Sequence, residues 1–378
     1  MSKQIKVMTI FGTRPEAIKM APIVLQLQKQ DGFVPVTVVT AQHREMLDQV
    51  LEIFHIQPDY DLNIMRPNQT LAGITSRVLT KLDAIMDEVR PDIVLVHGDT
   101  TTTFAASVSA FYHQIPVGHV EAGLRTWDKY SPFPEEMNRQ LTDVLADMYF
   151  APTELSRQNL LKENHPDDHI FVTGNTAIDA LQQTVSKDYQ HEALKLIQPG
   201  NRMILLTMHR RENQGEPMER VFKAVKAVVK QHPDVEVVYP VHLSPTVQEI
   251  AKRVLGNTDR IHLIDPLDVI DFHNMAARSY FIMTDSGGVQ EEAPSLNKPV
   301  LVLRETTERP EGVTAGTLKL VGTDTGMVAA AMTQLLDDPN EYSRMSKAKN
   351  PYGDGTATTQ ILTALKGECE LNNERESN

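Results

Sequence analysis

Short apolar runs rich in β-branched residues alternate with amphipathic segments along nearly the whole chain. In the segment 218–232, for example, apolar residues recur at the three- and four-residue spacing of a helix with one buried face. The apolar runs predict strands at Ile5–Phe11, Pro35–Thr40, Asp92–His97, Val117–Glu121, Met148–Ala151, Ile170–Thr173, Met203–Met208, Val235–Pro240, Ile261–Ile264, Tyr280–Thr284, Pro299–Leu303 and Leu318–Gly322. Continuous apolar strands separated by helices are typical of parallel sheets covered on both faces, so we predict a doubly wound α/β protein.

The alternation of strands and helices is interrupted by a looser stretch, predicted as a linker, near residues 175–200. Domains usually run about 100 to 200 residues, so a chain of 378 residues predicts two domains. We predict an N-terminal Rossmann-like domain at 1–175, a C-terminal Rossmann-like domain at 176–355, and a helix at about 356–378 that packs back on the first domain. Doubly wound sheets bind ligands outside the carboxyl ends of their strands, so we expect the site in a central cleft.

Charge and composition exclude several classes of function. The chain has 50 Asp and Glu residues against 37 Lys and Arg residues, a formal charge of -13, which argues against a nucleic-acid binder or a binder of anionic membranes. No apolar run reaches the ~18 residues of a transmembrane helix, and the first residues do not have the pattern of a signal peptide. The single cysteine, Cys369, excludes an internal disulfide and indicates a reducing compartment. We therefore expect a cytoplasmic protein without membrane insertion.

The loop after the first strand has the composition of an anion site. Gly12 and Thr13 lead into a helix that begins near Pro15, and Arg14 and Lys19 add positive charge. The G-x-G-x-x-G spacing of dinucleotide-binding loops is missing, and the chain carries no Walker lysine motif, so an NAD-dependent oxidoreductase loses most of its support. The alternative is an ordinary turn that needs Gly12 for its backbone angles.

A second loop of this kind follows the strand predicted at Tyr280–Thr284. Gly287 and Gly288 allow close approach of a ligand to the backbone, and the Ser286 hydroxyl can cap the next helix or bond a phosphate. Glu292, one helical turn further on, could accept both hydroxyls of a ribose. The alternative is a plain serine cap beside a solvated glutamate. Together the two loops predict a nucleoside diphosphate site.

Three carboxylates in the first half are candidates for acid and base chemistry. Asp99 and Glu121 follow strands that one helical crossover separates, so both are expected on one rim of the sheet. Glu135 begins a helix after a proline-rich turn. Acids that cluster raise the proton affinity of some of their members, which makes them useful near neutral pH. Helix capping by Asp99 and a favourable helix dipole at Glu135 are the alternatives.

Two histidines follow strands of the second half. His209, beside Arg210, could stabilise a departing diphosphate or carry a proton, and His242 has the same placement after its strand. A structural role is the alternative for both. The segment 165–169 contains residue types that bind metals, but its proline favours a surface turn, so we predict no metal site.

Six segments, in the same order and across nearly the whole chain, resemble the non-hydrolysing UDP-N-acetylglucosamine 2-epimerases of bacteria. The segments are 11–19, 97–100, 119–126, 133–139, 209–213 and 284–292. The resemblance implies a glycosyltransferase B-type fold, commonly in a homodimer. It also implies reversible conversion of UDP-GlcNAc to UDP-ManNAc, by elimination of UDP to 2-acetamidoglucal and re-addition, without NAD or a metal. The product would supply ManNAc for envelope polysaccharides.

The resemblance also assigns roles to individual residues. Asp99, Glu121 and Glu135 match the acid/base carboxylates, although which one removes the proton and which returns it stays open, and His209 matches the catalytic histidine. The residues that match the substrate and UDP site are Arg14, Lys19, Ser286, Gly287, Gly288 and Glu292. The residues that match a second, activating UDP-GlcNAc site are Gln42, His43, Arg66, Glu136, Arg210 and His242.

Three alternatives share parts of this pattern. A glycosyltransferase of the same fold would share the segment 286–292 but would not need three acids on the opposite rim. A hydrolysing epimerase often carries a sugar kinase domain, for which 378 residues leave no space. A sensor of nucleotide sugars without activity would be expected to have lost the acids.

Overall fold

The computed structural model describes residues 4–42, 44–66 and 68–376, with the side chains of 369–376 outside the described part. The described strands and helices are, in chain order, β1 (Ile5–Phe11), α1 (Arg14–Lys29), β2 (Phe33–Val39), α2 (Arg44–Ile53), β3 (Tyr60–Asp61), α3 (Leu71–Val89), β4 (Ile93–His97), α4 (Thr101–Tyr112), β5 (Val117–Val120), α5 (Glu135–Leu145), β6 (Met148–Ala151), α6 (Glu154–Lys162), β7 (Ile170–Val172), α7 (Thr176–Thr184), β8 (Arg202–Thr207), α8 (Glu216–Gln231), β9 (Val235–Pro240), α9 (Pro245–Leu255), β10 (Ile261–Ile264), α10 (Val269–Arg278), β11 (Phe281–Thr284), α11 (Gly287–Glu292), β12 (Val300–Val302), α12 (Pro310–Ala315), β13 (Leu318–Leu320), α13 (Thr325–Asp337), α14 (Pro339–Ser346) and α15 (Ala357–Glu376).

The chain divides into two compact units. Unit 1 comprises Met1–Ala180 and Tyr352–Asn378, and unit 2 comprises Leu181–Pro351. Helix α7 crosses the boundary between them, so the predicted linker near 175–200 begins with a helix. The predicted fold class, two doubly wound α/β units, is confirmed.

Unit 1 contains a parallel sheet whose strand order, over the described residues, is β3-β2-β1-β4-β5-β6-β7. Alternate residues of β1 face opposite sides of this sheet, as the pleat requires. Val7 and Phe11 pack with the apolar side of α1, whereas Met8 and Ile10 pack in the core that α3 and α4 cover. The C-terminal helix α15 adds apolar side chains, including Ile361, to the core on the α1 side.

Unit 2 repeats the same architecture, with the strand order β10-β9-β8-β11-β12-β13 in its described sheet. Ile204 and Leu206 of β8 face one core, and Met203 and Leu205 face the other. In both units the strand order reverses beside the first strand, at β1 and β4 in unit 1 and at β8 and β11 in unit 2. Doubly wound sheets bind ligands at such reversals.

Two wrong strand boundaries and one missed strand have identifiable reasons. Strand β2 begins at Phe33, before Pro35, because proline fits an extended strand where its missing N–H is not needed. Strand β5 ends at Val120, because Glu121 has a left-handed φ of 68° that a strand cannot continue. The two-residue strand Tyr60–Asp61 was missed, since it is too short to show an alternating pattern. No helix in the described part of the chain is both long and apolar enough to cross a membrane.

Candidate active site

The loops of unit 1 that carry the candidate site residues follow the neighbouring strands β1, β4 and β5. β1 pairs with β4, and β4 pairs with β5 in a register that sets His97 opposite Val120. The loops that carry Asp99 and Glu121 therefore leave the same edge of the sheet, beside the loop that leads into α1. This edge is the position at which a doubly wound sheet binds its ligand.

Glu16, which the sequence analysis did not single out, joins two of these loops. One oxygen of its buried carboxylate accepts hydrogen bonds from the backbone N–H groups of Gly12 at 3.0 Å and Thr13 at 2.7 Å. The other oxygen accepts from the hydroxyls of Thr100 at 2.6 Å and Thr103 at 3.1 Å. The spacing Thr13-x-x-Glu16 is that of a capping box, so the sequence did contain a signal for this residue.

Gly12 is required for a reason other than its backbone angles. A Cβ atom at this position would lie 1.9 Å from the Thr40 hydroxyl oxygen and 2.9 Å from that of Thr102, which are closer than real contacts. No φ in the left-handed region is found there, so the alternative of a turn that needs Gly12 for its backbone angles was wrong. The glycine lets β1 approach the loop after β2 closely.

Asp99 is held beside a guanidinium, with other acids close enough to affect its proton. Its carboxylate lies 2.7 Å from Nη2 of Arg139. Burial raises the pKa of Asp99 to about 6; Arg139 opposes this shift, and Glu121 and Glu135 add to it. Helix α4 is capped instead by Thr100, so the alternative that Asp99 is a helix cap was wrong.

Glu121 carries a carboxylate with contacts on both oxygens. The ammonium of Lys19 contacts Oε1, and the side-chain amide of Asn175 donates to the same oxygen at 2.8 Å. Oε2 lies 3.6 Å from Nε2 of His97. Burial lowers the pKa of His97 to about 3, so its ring is neutral at physiological pH. Neither ring nitrogen of His97 has a hydrogen-bond partner among the described residues.

Glu135 and Glu136 are adjacent at the start of α5 but lie in different environments. Glu135 is the first residue of the helix and partly exposed, so the helix-dipole explanation stays open beside its electrostatic effect on Asp99. Glu136 is fully buried. Its carboxylate accepts from the backbone N–H groups of Thr126 at 3.0 Å and Trp127 at 3.1 Å. In this arrangement Glu136 holds the loop that follows Glu121.

A buried network of polar and charged groups around Asp143 supports the same edge of the sheet. The His119 ring contacts Asp143 through Nδ1 at 2.5 Å and the Gly98 carbonyl through Nε2 at 2.7 Å. Arg125 donates to the second oxygen of Asp143 at 2.6 Å. Burial favours a higher pKa for Asp143, but His119 and Arg125 outweigh burial and lower it. The network fixes the backbone directly before Asp99, a function that could not be predicted from the sequence.

Three further predicted site residues of unit 1, Arg14, Gln42 and Arg66, lie in the described part of the chain. Arg14 is partly exposed at the start of α1. The side-chain oxygen of Gln42 accepts from the Thr102 hydroxyl at 3.0 Å. Arg66 is exposed and donates to the carbonyl of the preceding residue at 2.9 Å. His43 lies outside the described residues.

In unit 2, Asp285 holds the loop that carries the candidate histidine. Its buried carboxylate accepts from the backbone N–H groups of His209 at 3.0 Å and Arg210 at 2.9 Å, and from the side-chain amide of Asn213 at 3.0 Å. Since β8 and β11 are paired neighbours, this arrangement joins the loops at the strand reversal of unit 2. The loop is therefore held at the predicted ligand edge.

The His209 ring is available to solvent, with 42% of its side chain exposed. It stacks on the ring of His242, with centroids 5.2 Å apart and planes 9° from parallel. Burial lowers the pKa of His209; Asp285 opposes this, and His242 and Arg210 contribute to it. The two predicted histidines are thus neighbours, and His209 is mostly neutral near pH 7.

The segment Ser286–Glu292 consists of the N-cap residue Ser286 and the short helix α11. The backbone N–H of Ser286 donates to the Thr284 hydroxyl at 2.9 Å, and no cap hydrogen bond from the Ser286 side chain is found in the described structure. Glu292 lies 3.4 Å from Nε2 of His273 and is only 16% exposed. Ser286 therefore does hold the N-cap position that the alternative gave it, although without a side-chain hydrogen bond, whereas the solvated glutamate of that alternative was wrong.

The segment 165–169 forms ordinary protein contacts. Nδ1 of His165 lies 2.9 Å from the Tyr149 hydroxyl, and Asp167 lies 2.5 Å from the guanidinium of Arg157. Among the described residues, no group of three or more His, Cys, Asp or Glu side chains is placed to hold a metal ion.

Comparison with known proteins gives one consistent family. Residues 25–366 match the family model described as UDP-N-acetylglucosamine 2-epimerase. The UDP-N-acetylglucosamine 2-epimerase of Bacillus subtilis is 64% identical over 363 residues, which are 96% of this chain and 95% of that protein. A crystal structure from Listeria monocytogenes is 58% identical with a TM-score of 0.93, covering 97% of each chain. The UDP-GlcNAc 2-epimerase of Neisseria meningitidis, solved bound to UDP-GlcNAc, is 50% identical with a TM-score of 0.87, covering 96% of this chain and 100% of that one.

Proposed function

The chain belongs to the UDP-N-acetylglucosamine 2-epimerase family, and from this premise we propose that it converts UDP-GlcNAc reversibly to UDP-ManNAc without hydrolysis. It is an enzyme of the isomerase class, since the curated relatives that cover its length are named for this epimerisation. The observation that carries the proposal is the group of acids at the strand reversal of unit 1, in which Asp99 has a pKa of about 6.

The proposed reaction proceeds through elimination and re-addition. A carboxylate removes the C-2 proton while the C-1 to oxygen bond breaks and its electron pair leaves with UDP. The products are 2-acetamidoglucal, with a double bond between C-1 and C-2, and free UDP. UDP then adds back to C-1 while an acid returns a proton to C-2 from the opposite face. The step needs one base, one acid and a stabilised leaving group.

The carboxylates of unit 1 support the acid and base roles. A group with a pKa of about 6 can both accept and donate protons near neutral pH, which is the condition for efficient general acid or base catalysis. Glu121 is held by Lys19 and Asn175, which fix the orientation of its carboxylate. We propose Asp99, Glu121 and Glu135 as the acid/base group, with the assignment of base and acid left to experiment.

The loops of unit 2 support the nucleotide role. We propose that Ser286, Gly287 and Gly288 contact the diphosphate and that Glu292 accepts the ribose hydroxyls. His209 is partly exposed at the same strand reversal, so we propose that it donates a hydrogen bond to the leaving diphosphate. Arg14 and Lys19 of unit 1 are proposed to add charge near the diphosphate and sugar.

Incubation with UDP-GlcNAc in heavy water tests the reaction directly. We expect NMR spectra to show UDP-ManNAc appearing until equilibrium, with deuterium at C-2 of both epimers, because the abstracted proton exchanges with solvent before it is returned. The same sample without enzyme should show neither change.

Retention of the C-2 proton through epimerisation would contradict the elimination route. Release of free ManNAc as the main product would indicate a hydrolysing enzyme instead. Absence of any change in the sugar would contradict the epimerase proposal as a whole.

We further propose that the reaction requires neither NAD nor a metal ion and takes place in the cytoplasm. Elimination and re-addition balance without hydride transfer, and the first loop lacks the G-x-G-x-x-G spacing of a dinucleotide site. The single cysteine supports a reducing compartment. We propose that the product supplies ManNAc for envelope polysaccharide, which rests on the resemblance.

We also propose that UDP-GlcNAc activates the enzyme at a second site. The proposal rests on the resemblance at Gln42, His43, Arg66, Glu136, Arg210 and His242. Within unit 2, His242 stacks on His209. Within unit 1, the Glu136 carboxylate is occupied by the backbone N–H groups of Thr126 and Trp127.

An apolar surface on unit 1 supports a homodimer. Helices α4 and α5 contact each other, and each exposes two large apolar side chains near its C-terminal end. They are Phe111 and Tyr112 on α4, and Leu141 and Val144 on α5. Both helices run from the ligand edge of the sheet to the opposite edge, so this surface leaves the site accessible. Exposed apolar patches of this kind mark protein–protein contacts.

Val144→Asp should convert the homodimer to a monomer. Val144 is 71% exposed, so the charge costs little in the folded monomer but would be buried without a partner in the dimer. Sedimentation or light scattering should change from about twice the chain mass of 42.4 kDa to that mass. Met327→Asp, which places the same charge at an exposed apolar position of unit 2, is the control. A Val144→Asp protein that stays dimeric would rule out this surface.

A further inference from the structure

Three arginines of unit 2 surround a single carboxylate oxygen. Oε2 of Glu308 lies 3.6 Å from Nη1 of Arg304, 3.7 Å from Nη2 of Arg210 and 3.8 Å from Nη1 of Arg309. Charge-assisted hydrogen bonds between a guanidinium and a carboxylate are shorter, about 2.7–2.9 Å. The carboxylate is therefore attracted by all three cations without a close hydrogen bond from any of them.

The guanidinium of Arg304 is buried and only partly satisfied. Its side chain is 8% exposed, and its Nε donates to Glu212 at 2.9 Å. Its Nη1, the atom nearest Glu308, has no hydrogen-bond partner within the described residues. A buried N–H without an acceptor costs stability. An unpartnered donor within a group of three cations indicates that a ligand anion approaches it more closely than Glu308 does.

The three cations adjoin the loop proposed to hold the nucleotide. A Cβ atom on Gly287 would lie 3.6 Å from Nη2 of Arg309 and 3.7 Å from Nη2 of Arg210, so both guanidiniums reach over this loop. The Nε of Arg309 is engaged by Glu291 at 2.5 Å, which fixes the direction of its Nη atoms. The position of Glu308 is thus next to the place where a diphosphate would lie.

We propose that Glu308 is an internal counter-anion, which occupies the place of a ligand's phosphate among Arg210, Arg304 and Arg309 and which the diphosphate of a nucleotide displaces. The inference rests on the proposed function and extends it to Arg304, Glu308 and Arg309, which the sequence analysis did not name. A phosphate carries more oxygens and more charge than a carboxylate, so it can give each guanidinium a hydrogen bond of normal length.

Two properties of Glu308 fit this role. Burial opposes its ionisation, but Arg210, Arg304 and Arg309 outweigh burial and lower its pKa, so it is an anion near neutral pH. Its side chain is 44% exposed, which leaves it free to turn toward solvent. Glu308 neutralises the arginines in the absence of ligand, and it competes with the ligand for them.

Glu308→Gln should therefore strengthen binding, the opposite of the usual result of changing a residue in a binding site. Calorimetry should give a dissociation constant for UDP about tenfold lower than that of the native protein, since several partly exposed ion pairs no longer compete. Inorganic pyrophosphate should show the same gain. Uridine, which has no phosphate, should bind equally to both proteins.

Glu212→Gln is the matched control. It removes the same charge and also releases Arg304, but its carboxylate bonds Nε on the far edge of that guanidinium. We expect its UDP affinity to stay within about threefold of native. Equal tightening by both variants would show a general charge effect and overturn the inference, as would unchanged or weaker UDP binding by Glu308→Gln.

The substrate and the proposed effector both carry a diphosphate, and kinetics separates them. A lower KM in Glu308→Gln would place the substrate's diphosphate among the arginines, whereas a lower concentration for half-maximal activation would place the effector's there.

Failure of this inference is distinct from failure of the proposed function. A native protein that binds no UDP contradicts the function, whereas native UDP binding that Glu308→Gln leaves unchanged contradicts the inference alone.

Discussion

Asp99→Asn is expected to lower kcat by ~100-fold or more, the size of effect found when a general acid or base is lost. Asparagine keeps the shape of the side chain and can still accept a hydrogen bond from Arg139, but it can neither take up nor release a proton. The measurement is the initial rate of UDP-ManNAc formation at saturating UDP-GlcNAc.

The pH profile identifies Asp99 independently of the rate. Because the pKa of Asp99 is raised to about 6, the native rate should change near pH 6. If Asp99 is the base, the rate falls as the pH drops through 6; if it is the acid, the rate falls as the pH rises above 6. In either case the residual activity of Asp99→Asn should lack this limb. Persistence of the limb would assign it to another group.

Loss of stability is not expected to explain the inactive variant. A carboxyl with a raised folded-state pKa favours folding most at low pH, and this contribution is lost as the pH rises through about 6. At pH 7.5 the ionised Asp99 therefore costs stability, which the neutral asparagine does not. The melting temperature should be unchanged or higher. Asp87→Asn, at a mostly exposed aspartate paired with Arg90, is the control and should keep native activity.

Glu121→Gln should reduce kcat to a similar extent, ~100-fold or more. The amide can still accept from Asn175 at the position of Oε1, so the loop should keep its shape, but the charge that faces Lys19 is lost. The control is Glu88→Gln, at an exposed glutamate that bonds the Tyr60 hydroxyl. UDP affinity should stay within about threefold, because the proposed uridine and phosphate contacts of unit 2 are untouched.

A rate for Glu121→Gln near native would mean that Glu121 only anchors Lys19 and the loop after β5. If both Asp99→Asn and Glu121→Gln retained native rates, the acid group at this edge would have a structural role and the elimination mechanism would lose its base. A large loss in one variant alone would assign the essential proton transfer to that residue.

The candidate site was predictable where a motif follows a strand directly. Gly12, Asp99, Glu121, His209 and Ser286 all lie at carboxyl ends of strands that the apolar runs revealed, and strand order places them at the two reversals. The structure also excludes two of the alternatives that the sequence left open. Asp99 does not cap α4, and Gly12 serves close packing against Thr40 rather than unusual backbone angles.

The supporting residues were missed because their partners are distant in sequence. Asp143 of helix α5 contacts His119 of strand β5, and Arg139 of the same helix reaches Asp99. Arg304 and Glu308 lie on a loop with no recognisable pattern of its own. Single polar residues on helices and loops are common, so nothing in the chain marks which of them will meet a catalytic carboxylate.

The sequence by itself determined the α/β class, the pair of doubly wound units and the family, because apolar periodicity and local motifs act over a few residues. Only the tertiary structure decided the protonation of Asp99 and His97, the role of Glu16 and Asp285 as anchors of loops, and the placement of Glu308 among the arginines. These properties depend on burial and on charges brought together from separate elements, and the strength of both is set by distances that a linear pattern does not contain.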